Sequence, residues 1–253
     1  MIVKPLVQVR ELTYKYHGAN KAAIDGLNLD LNCGEWIALM GRNGSGKTTF
    51  ARLLTGLIEP DKGTITSSAN VKRIGMVLQN PENQIIGSTV LADVAFGLEN
   101  SAVEPEAMMR RAIQALETVG LYEKRDLDPH NLSGGEKQKL TIAGELVMEP
   151  HLLILDEAMA MLDPKMRSEL LVLYRDLVRE KQITILMISN QLADVLLADR
   201  LLLVDKGQLV YDGKPLDILN EKLSEELLLE LPDSIGFVQL LVKNGFADAG
   251  ELL

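Results

Sequence analysis

The sequence predicts an α/β fold: a parallel sheet covered by helices, with an antiparallel strand pair at its start, an inserted helical lobe and a small helical appendage at its end. Three observations predict it. Continuous apolar runs of strand length recur at Trp36–Met40, Ile74–Leu78, Leu152–Asp156, Ile183–Ser189 and Leu201–Val204. Helical patterns near Lys47–Leu57 and Lys165–Lys181 lie between them, and strands buried on both faces that alternate with helices call for a parallel sheet. From about Ser88 to Met148 the alternation stops and only helical spacing remains, which marks an insertion.

The remaining elements follow in chain order. Val7–Leu12 and Leu27–Leu31 alternate apolar and polar residues, as antiparallel strands with one solvated face do. His17-Gly18-Ala19-Asn20 and Pro60-Asp61-Lys62-Gly63 are turns. After Pro215 the chain becomes rich in leucine and glutamate over Leu216–Leu231, breaks at Leu231-Pro232-Asp233-Ser234 and resumes over Ile235–Lys243. The organisation expected is a catalytic domain over 1–215, with its helical subdomain at about 88–148, and a C-terminal helical element over 216–253. That element is either a tail packed on its own domain or a dimerisation element.

Composition narrows the function. A chain of 253 residues with 47% hydrophobic and 25% charged residues can bury a large core and is globular. A net charge of −10 lacks the basic stripe of a nucleic-acid binder and disfavours adhesion to anionic lipid. Cys33 is the only cysteine, which excludes an internal disulfide and a cysteine-based metal site. Met1-Ile2-Val3-Lys4-Pro5 lacks the apolar core of a signal peptide. No apolar run approaches the ~18 residues of a membrane helix. Work at a membrane therefore requires a partner that holds the chain there.

The chemistry begins at Gly41-Arg42-Asn43-Gly44-Ser45-Gly46-Lys47-Thr48, which fits the phosphate-loop pattern G-x-x-x-x-G-K-[ST]. Its glycines let successive N–H groups point inward at phosphate oxygens, and the following helix aims its positive end at the same place. Lys47 would bridge the β- and γ-phosphates, the Thr48 hydroxyl would ligate Mg²⁺, and Thr49 follows beside them. Asp156, at the end of an apolar run, would hold Mg²⁺, and Glu157 would polarise the attacking water. Gln79 ends another buried strand, where its amide could reach Mg²⁺ or that water. Tyr16 follows the first strand and could stack on adenine. Tyr14, two residues earlier, is expected to face the other way, which leaves Tyr16 as the candidate. Leu132-Ser133-Gly134-Gly135-Glu136 opens a helix: Ser133 and Glu136 spell a capping box, and a helix N-terminus bearing two bare glycines is an anion site.

Together these motifs resemble the ATP-binding cassette (ABC) ATPases over residues 7 to about 215, in the order Tyr16, phosphate loop, Gln79, signature Leu132–Glu136, Asp156-Glu157 and Leu162-Asp163. The resemblance implies ATP and Mg²⁺ as ligands and a P-loop NTPase fold. It also implies two cassettes meeting head to tail, each ATP lying between the phosphate loop of one and the signature of the other, with Asp163 on the loop that crosses to the partner. Gln79-Asn80-Pro81-Glu82-Asn83-Gln84, Asp93–Asn100, Lys137-Gln138-Lys139 and Met161-Leu162-Asp163-Pro164 are similar to one branch, the cassettes of energy-coupling factor (ECF) importers of vitamins and transition metal ions. That likeness implies a transmembrane scaffold, a membrane substrate-binding subunit, a second cassette and a place at the cytoplasmic face of the cell membrane, with no nucleic-acid partner.

Two departures stand out. In the groove expected to receive the scaffold, Leu91 and Ala92 stand where acids are expected, leaving Glu82 and Asp93 for basic partners. Asn190 stands where the family pattern presents a histidine to the γ-phosphate, in a register supported by Ala198-Asp199-Arg200. Asparagine can donate a hydrogen bond and orient water, but it cannot carry a proton or a charge. The expectation is an impaired site paired with a different, more active cassette. The competing readings are a cassette of another ABC transporter class, a soluble ABC ATPase outside transport and a nucleotide-binding scaffold without useful hydrolysis.

Overall fold

The computed structural model describes residues 5–68, 71, 73–99, 101 and 103–219. The expected C-terminal helical element therefore lies, beyond Leu219, outside the described residues. The chain divides into two compact units, Met1–Asn70 with Leu186–Leu253, and Val71–Ile185.

In the first unit, β1 (Val7–Tyr14) lies between β2 (Ile24–Leu31) and β4 (Lys62–Ser67) in an antiparallel sheet. The register pairs Val7 with Leu31 and Val9 with Leu29 on one side, and Val9 with Ile65 on the other. Val7 and Val9 are wholly buried, as alternation requires, and an irregularity at Glu11, with φ +47°, shifts the pattern so that Leu12 is buried next. β4 is a strand that the pattern does not announce. Its residues Lys-Gly-Thr-Ile-Thr-Ser are almost all exposed, so it has no apolar alternation to read, and it absorbs Lys62 and Gly63 from the expected turn.

The same unit holds a parallel pair, β3 (Trp36–Met40) and β8 (Arg200–Asp205), extended by antiparallel β9 (Gln208–Gly213). Every residue of β3 is buried, which is why its run is continuously apolar. Asp199 and Arg200 hold β8 to β3. Asp199 Oδ2 accepts from the Trp36 amide at 2.9 Å, and the Asp199 amide donates to Trp36 O at 2.8 Å. Arg200 reaches Glu35 at 3.1 Å and Asp212 at 2.6 Å. Helix α1 (Lys47–Leu54) follows the phosphate loop and buries Phe50, Leu53 and Leu54.

In the second unit, β5 (Ile74–Val77) and β6 (Leu152–Asp156) pair in parallel. Between them, the chain carries α2 (Val90–Glu99), α3 (Pro105–Val119) and α4 (Gly134–Leu146) with short 3-10 turns. Helix α3 buries Ala112, Ala115, Leu116 and Val119, an i, i+3, i+4, i+7 stripe, and stops at left-handed Gly120. Helix α5 (Pro164–Lys181) starts at a Pro-Lys pair behind the cap Asp163. It leads into β7 (Thr184–Ile188), a fully buried strand that runs from the second unit into the first and is followed by the short α6 (Leu192–Val195).

Candidate functional site

The candidate residues divide between the two units. In the first, the phosphate loop leaves β3 at Gly41 and enters α1 at Lys47. Gly41 and Gly46 are required by their surroundings: a Cβ at Gly41 would lie 2.1 Å from Val204 O, and one at Gly46 would lie 2.3 Å from Ala23 O, with φ +156° and +109°. The loop is tied down by Ser45 N–H donating to Arg42 O at 3.0 Å and Gly207 N–H donating to Ser45 O at 2.9 Å. Lys47 is buried, its Nζ donating to Gly41 O at 2.7 Å and Arg42 O at 3.2 Å, so the ammonium sits inside the loop's curl. Ser45 Oγ is buried and has no hydrogen-bond partner among the described residues. An orphaned hydroxyl and an ammonium in one loop, with Gly41 and Gly46 leaving no room for a Cβ, fit phosphate oxygens. Asn43 and Gly44 are exposed at the loop's tip.

Tyr16 OH lies 3.1 Å from Thr49 Oγ1, which holds the ring over the start of α1. Tyr14, at the end of β1, does not face away from Tyr16: its ring meets the Tyr16 ring edge-on, with centroids 4.9 Å apart, because residues two apart in an extended chain share a face. Asn190 follows β7, in a segment pinned by its neighbours: Ser189 Oγ donates to Asp194 Oδ2 at 2.9 Å and accepts from the Gln191 amide at 3.1 Å.

In the second unit, Asp156 closes β6 and is buried, while Glu157 follows with φ +51°. A glutamate held in the left-handed region is strained, and such outliers cluster at functional sites. Gln79 lies exposed, two residues past β5. Its loop is gripped by Gln84, whose Oε1 accepts from the Leu78 amide at 2.7 Å and whose Nε2 donates to Met76 O at 2.9 Å. Asp163 caps α5 by accepting from the Met166 amide at 3.0 Å.

The signature forms the expected capping box at the start of α4: Ser133 Oγ accepts from the Glu136 amide at 3.4 Å, and Glu136 Oε2 accepts from the Ser133 amide at 3.1 Å. Ser133 and Gly134 are exposed, whereas Gly135 is buried against Met166. The two acids left for the groove are already engaged. Glu82 Oε1 accepts from Lys137 Nζ at 2.7 Å, and Asp93 Oδ1 accepts from the Ile86 and Gly87 amides at 2.8 Å each. Lys137 holds the Glu82 carboxyl below its ordinary range.

The sequence pattern of the ABC transporter family matches residues 24–160. The chain belongs to that family. The cassette is 42% identical to the energy-coupling factor transporter ATP-binding protein EcfA1 of Bacillus subtilis (strain 168), over 96% of the chain and 90% of that protein. It is 40% identical to the EcfA1 of Bacillus licheniformis, over 98% of the chain and 92% of that protein. Among solved structures it resembles cbiO1 from Clostridium perfringens, described as part of the ABC transporter complex cbiONQ, with TM-score 0.79, 31% identity and coverage of 93% of the chain and 99% of that structure. The cassette is an ATP-binding ATPase of the transport class, within the energy-coupling factor branch. Among the described residues no helix is long and apolar enough to cross a membrane.

The sequence does not mark the contact of Tyr14 with Tyr16, the grip of Gln84 on the Gln79 loop or the pairing of Lys124. Lys124, which reaches Glu136 at 2.6 Å across an intervening loop, has no local signal.

Proposed function

We propose that the cassette hydrolyses ATP to power an energy-coupling factor importer of vitamins or transition metal ions. It works at the cytoplasmic face of the cell membrane, through a transmembrane scaffold and a membrane substrate-binding subunit, and pairs head to tail with a second, different cassette. The observation that carries this reading is the ~40% identity to such ATP-binding proteins over nearly the whole chain. The acidic balance supports the absence of a nucleic-acid partner.

The residue roles follow. Gly41, Asn43, Gly44, Ser45, Gly46, Lys47 and Thr49 bind the phosphates. Thr48, Gln79 and Asp156 hold Mg²⁺, which supplies charge neutralisation when bound. Glu157 orients and deprotonates the attacking water, Asn190 hydrogen-bonds the γ-phosphate and Tyr16 packs on adenine. Ser133, Gly134, Gly135, Glu136 and Asp163 serve the ATP of the second cassette.

Detergent purification of the complex tests the assembly. The expected set is this chain, a second cassette, a scaffold and a small membrane substrate binder. Recovery with a scaffold of another transporter class, or with no membrane subunit, overturns it.

Asn190 makes the two ATP sites unequal. A positioned acid–base group contributes ~10²–10⁴ in rate, so Asn190→His is expected to raise turnover of the assembled complex. Changing the second cassette's corresponding histidine to alanine is expected to abolish turnover. If Asn190→His has no effect and the partner change leaves turnover standing, the asymmetry is wrong. Asymmetry also predicts a ranking: Glu157→Gln, in the slower site, costs less turnover than a lesion in the signature. The reverse order counts against it.

A further inference from the structure

The signature helix faces two opposed electrostatic demands. Its capping box is closed by the Glu136 carboxylate, whose oxygen satisfies the Ser133 amide and whose charge favours the positive end of α4. A phosphate approaching the same end is repelled by that carboxylate. The two lysines that follow on α4 do not offset it, since Lys137 pairs with Glu82 at 2.7 Å and Lys139 with Glu169 at 2.7 Å.

The cation that meets Glu136 comes from elsewhere. Lys124 Nζ lies 2.6 Å from Glu136 Oε1, while Oε2 of the same carboxylate closes the capping box. Lys124 ends the 3-10 turn Tyr122–Lys124. That turn is held by the Lys124 amide donating to Leu121 O at 2.9 Å, and by Arg125, which stacks 4.4 Å over the Tyr122 ring and donates to Tyr122 O at 3.2 Å. Glu136 is thus gripped on both oxygens, one by a cation and one by the Ser133 amide.

We propose that Lys124 is a positioning residue of the signature: by neutralising and orienting Glu136, it lets an end of α4 that carries a carboxylate accept the terminal phosphate of ATP. The proposal rests on the reading that this signature serves the ATP of a second cassette.

The test measures ATP KM and kcat of the assembled complex carrying Lys124→Ala, Glu136→Gln or both, at low and high salt. Glutamine keeps an oxygen for the Ser133 amide and removes the charge. Lys124→Ala is expected to raise KM about fivefold to tenfold at low salt, and less at high salt, because a screened unit charge acts over this range. In the Glu136→Gln background the same change should shift KM less than about twofold, and Lys124→Arg should recover most of the loss. An equal penalty in both backgrounds, with no salt dependence, would assign Lys124 a merely structural role and overturn the proposal, as would no penalty at all. Gly134→Asp, measured alongside, separates the failures. If it destroys turnover while Lys124→Ala is silent, only the proposal falls. If Gly134→Asp is itself harmless, the signature reading falls and takes the proposal with it.

Discussion

Gly134→Asp is expected to reduce ATP turnover of the assembled complex by about 10²–10³-fold without lowering the melting temperature of the chain. Gly134 is the first residue of α4, is exposed, and would meet nothing within 4 Å if given a Cβ. An acid at this position favours the helix, by a few tenths to ~1 kcal/mol, because it faces the positive end of the macrodipole. The same acid beside a bound phosphate costs about 3–4 kcal/mol at an effective dielectric near 20, which is two to three decades in rate. Stability and activity are therefore driven in opposite directions, and loss of turnover cannot be blamed on unfolding. Gly135 is a poorer probe: its Cβ would lie 2.3 Å from Met166 Cγ, so any substitution there disturbs the packing of α4 on α5. Turnover within threefold of the unsubstituted complex would remove the signature from catalysis.

The second large effect concerns the phosphate loop. Gly46→Ala is expected to weaken ATP binding by ~100-fold or more, measured by nucleotide titration. The cost has two parts. An L-residue forced to positive φ loses about 1–2 kcal/mol, and a Cβ 2.3 Å from the Ala23 carbonyl oxygen must push backbone rather than a flexible side chain. Together they exceed about 3 kcal/mol, or two decades in affinity. Gly44 provides the internal control. Its φ is +80° but a Cβ there would touch nothing within 4 Å, so Gly44→Ala carries the first cost only, about tenfold. Equal losses at the two positions would show that backbone strain, and not the close approach of Ala23, governs the loop.

Legibility in the sequence followed locality. The bounds of the buried strands Trp36–Met40 and Leu152–Asp156 are legible in the sequence, because strands covered on both faces must be apolar throughout. β4 escaped because a mostly exposed strand has no such pattern. Tyr16 was chosen by position, and its partner Thr49 lies 33 residues away in the chain. The expectation that Tyr14 faces away from Tyr16 fails because side chains two apart in an extended chain share a face, and the two rings meet. The sequence leaves Glu82 and Asp93 to basic partners because nothing local marks the groups that already engage them: Lys137 is 55 residues from Glu82, and the loop amides that hold Asp93 carry no side-chain signature.

The sequence by itself determined the family motifs of this protein: phosphate loop, terminal acids, signature and their order. Each is a contiguous motif whose function depends on backbone geometry that neighbouring residues dictate. The tertiary structure decided how those motifs are supported. Lys124 reaches Glu136 across 12 residues, Lys139 reaches Glu169 across 30, and Glu157 is held in a left-handed conformation its residue type disfavours. Pairings of that kind depend on which chain segments pack together, and strain is sustained only by the surrounding fold. No local pattern encodes either one.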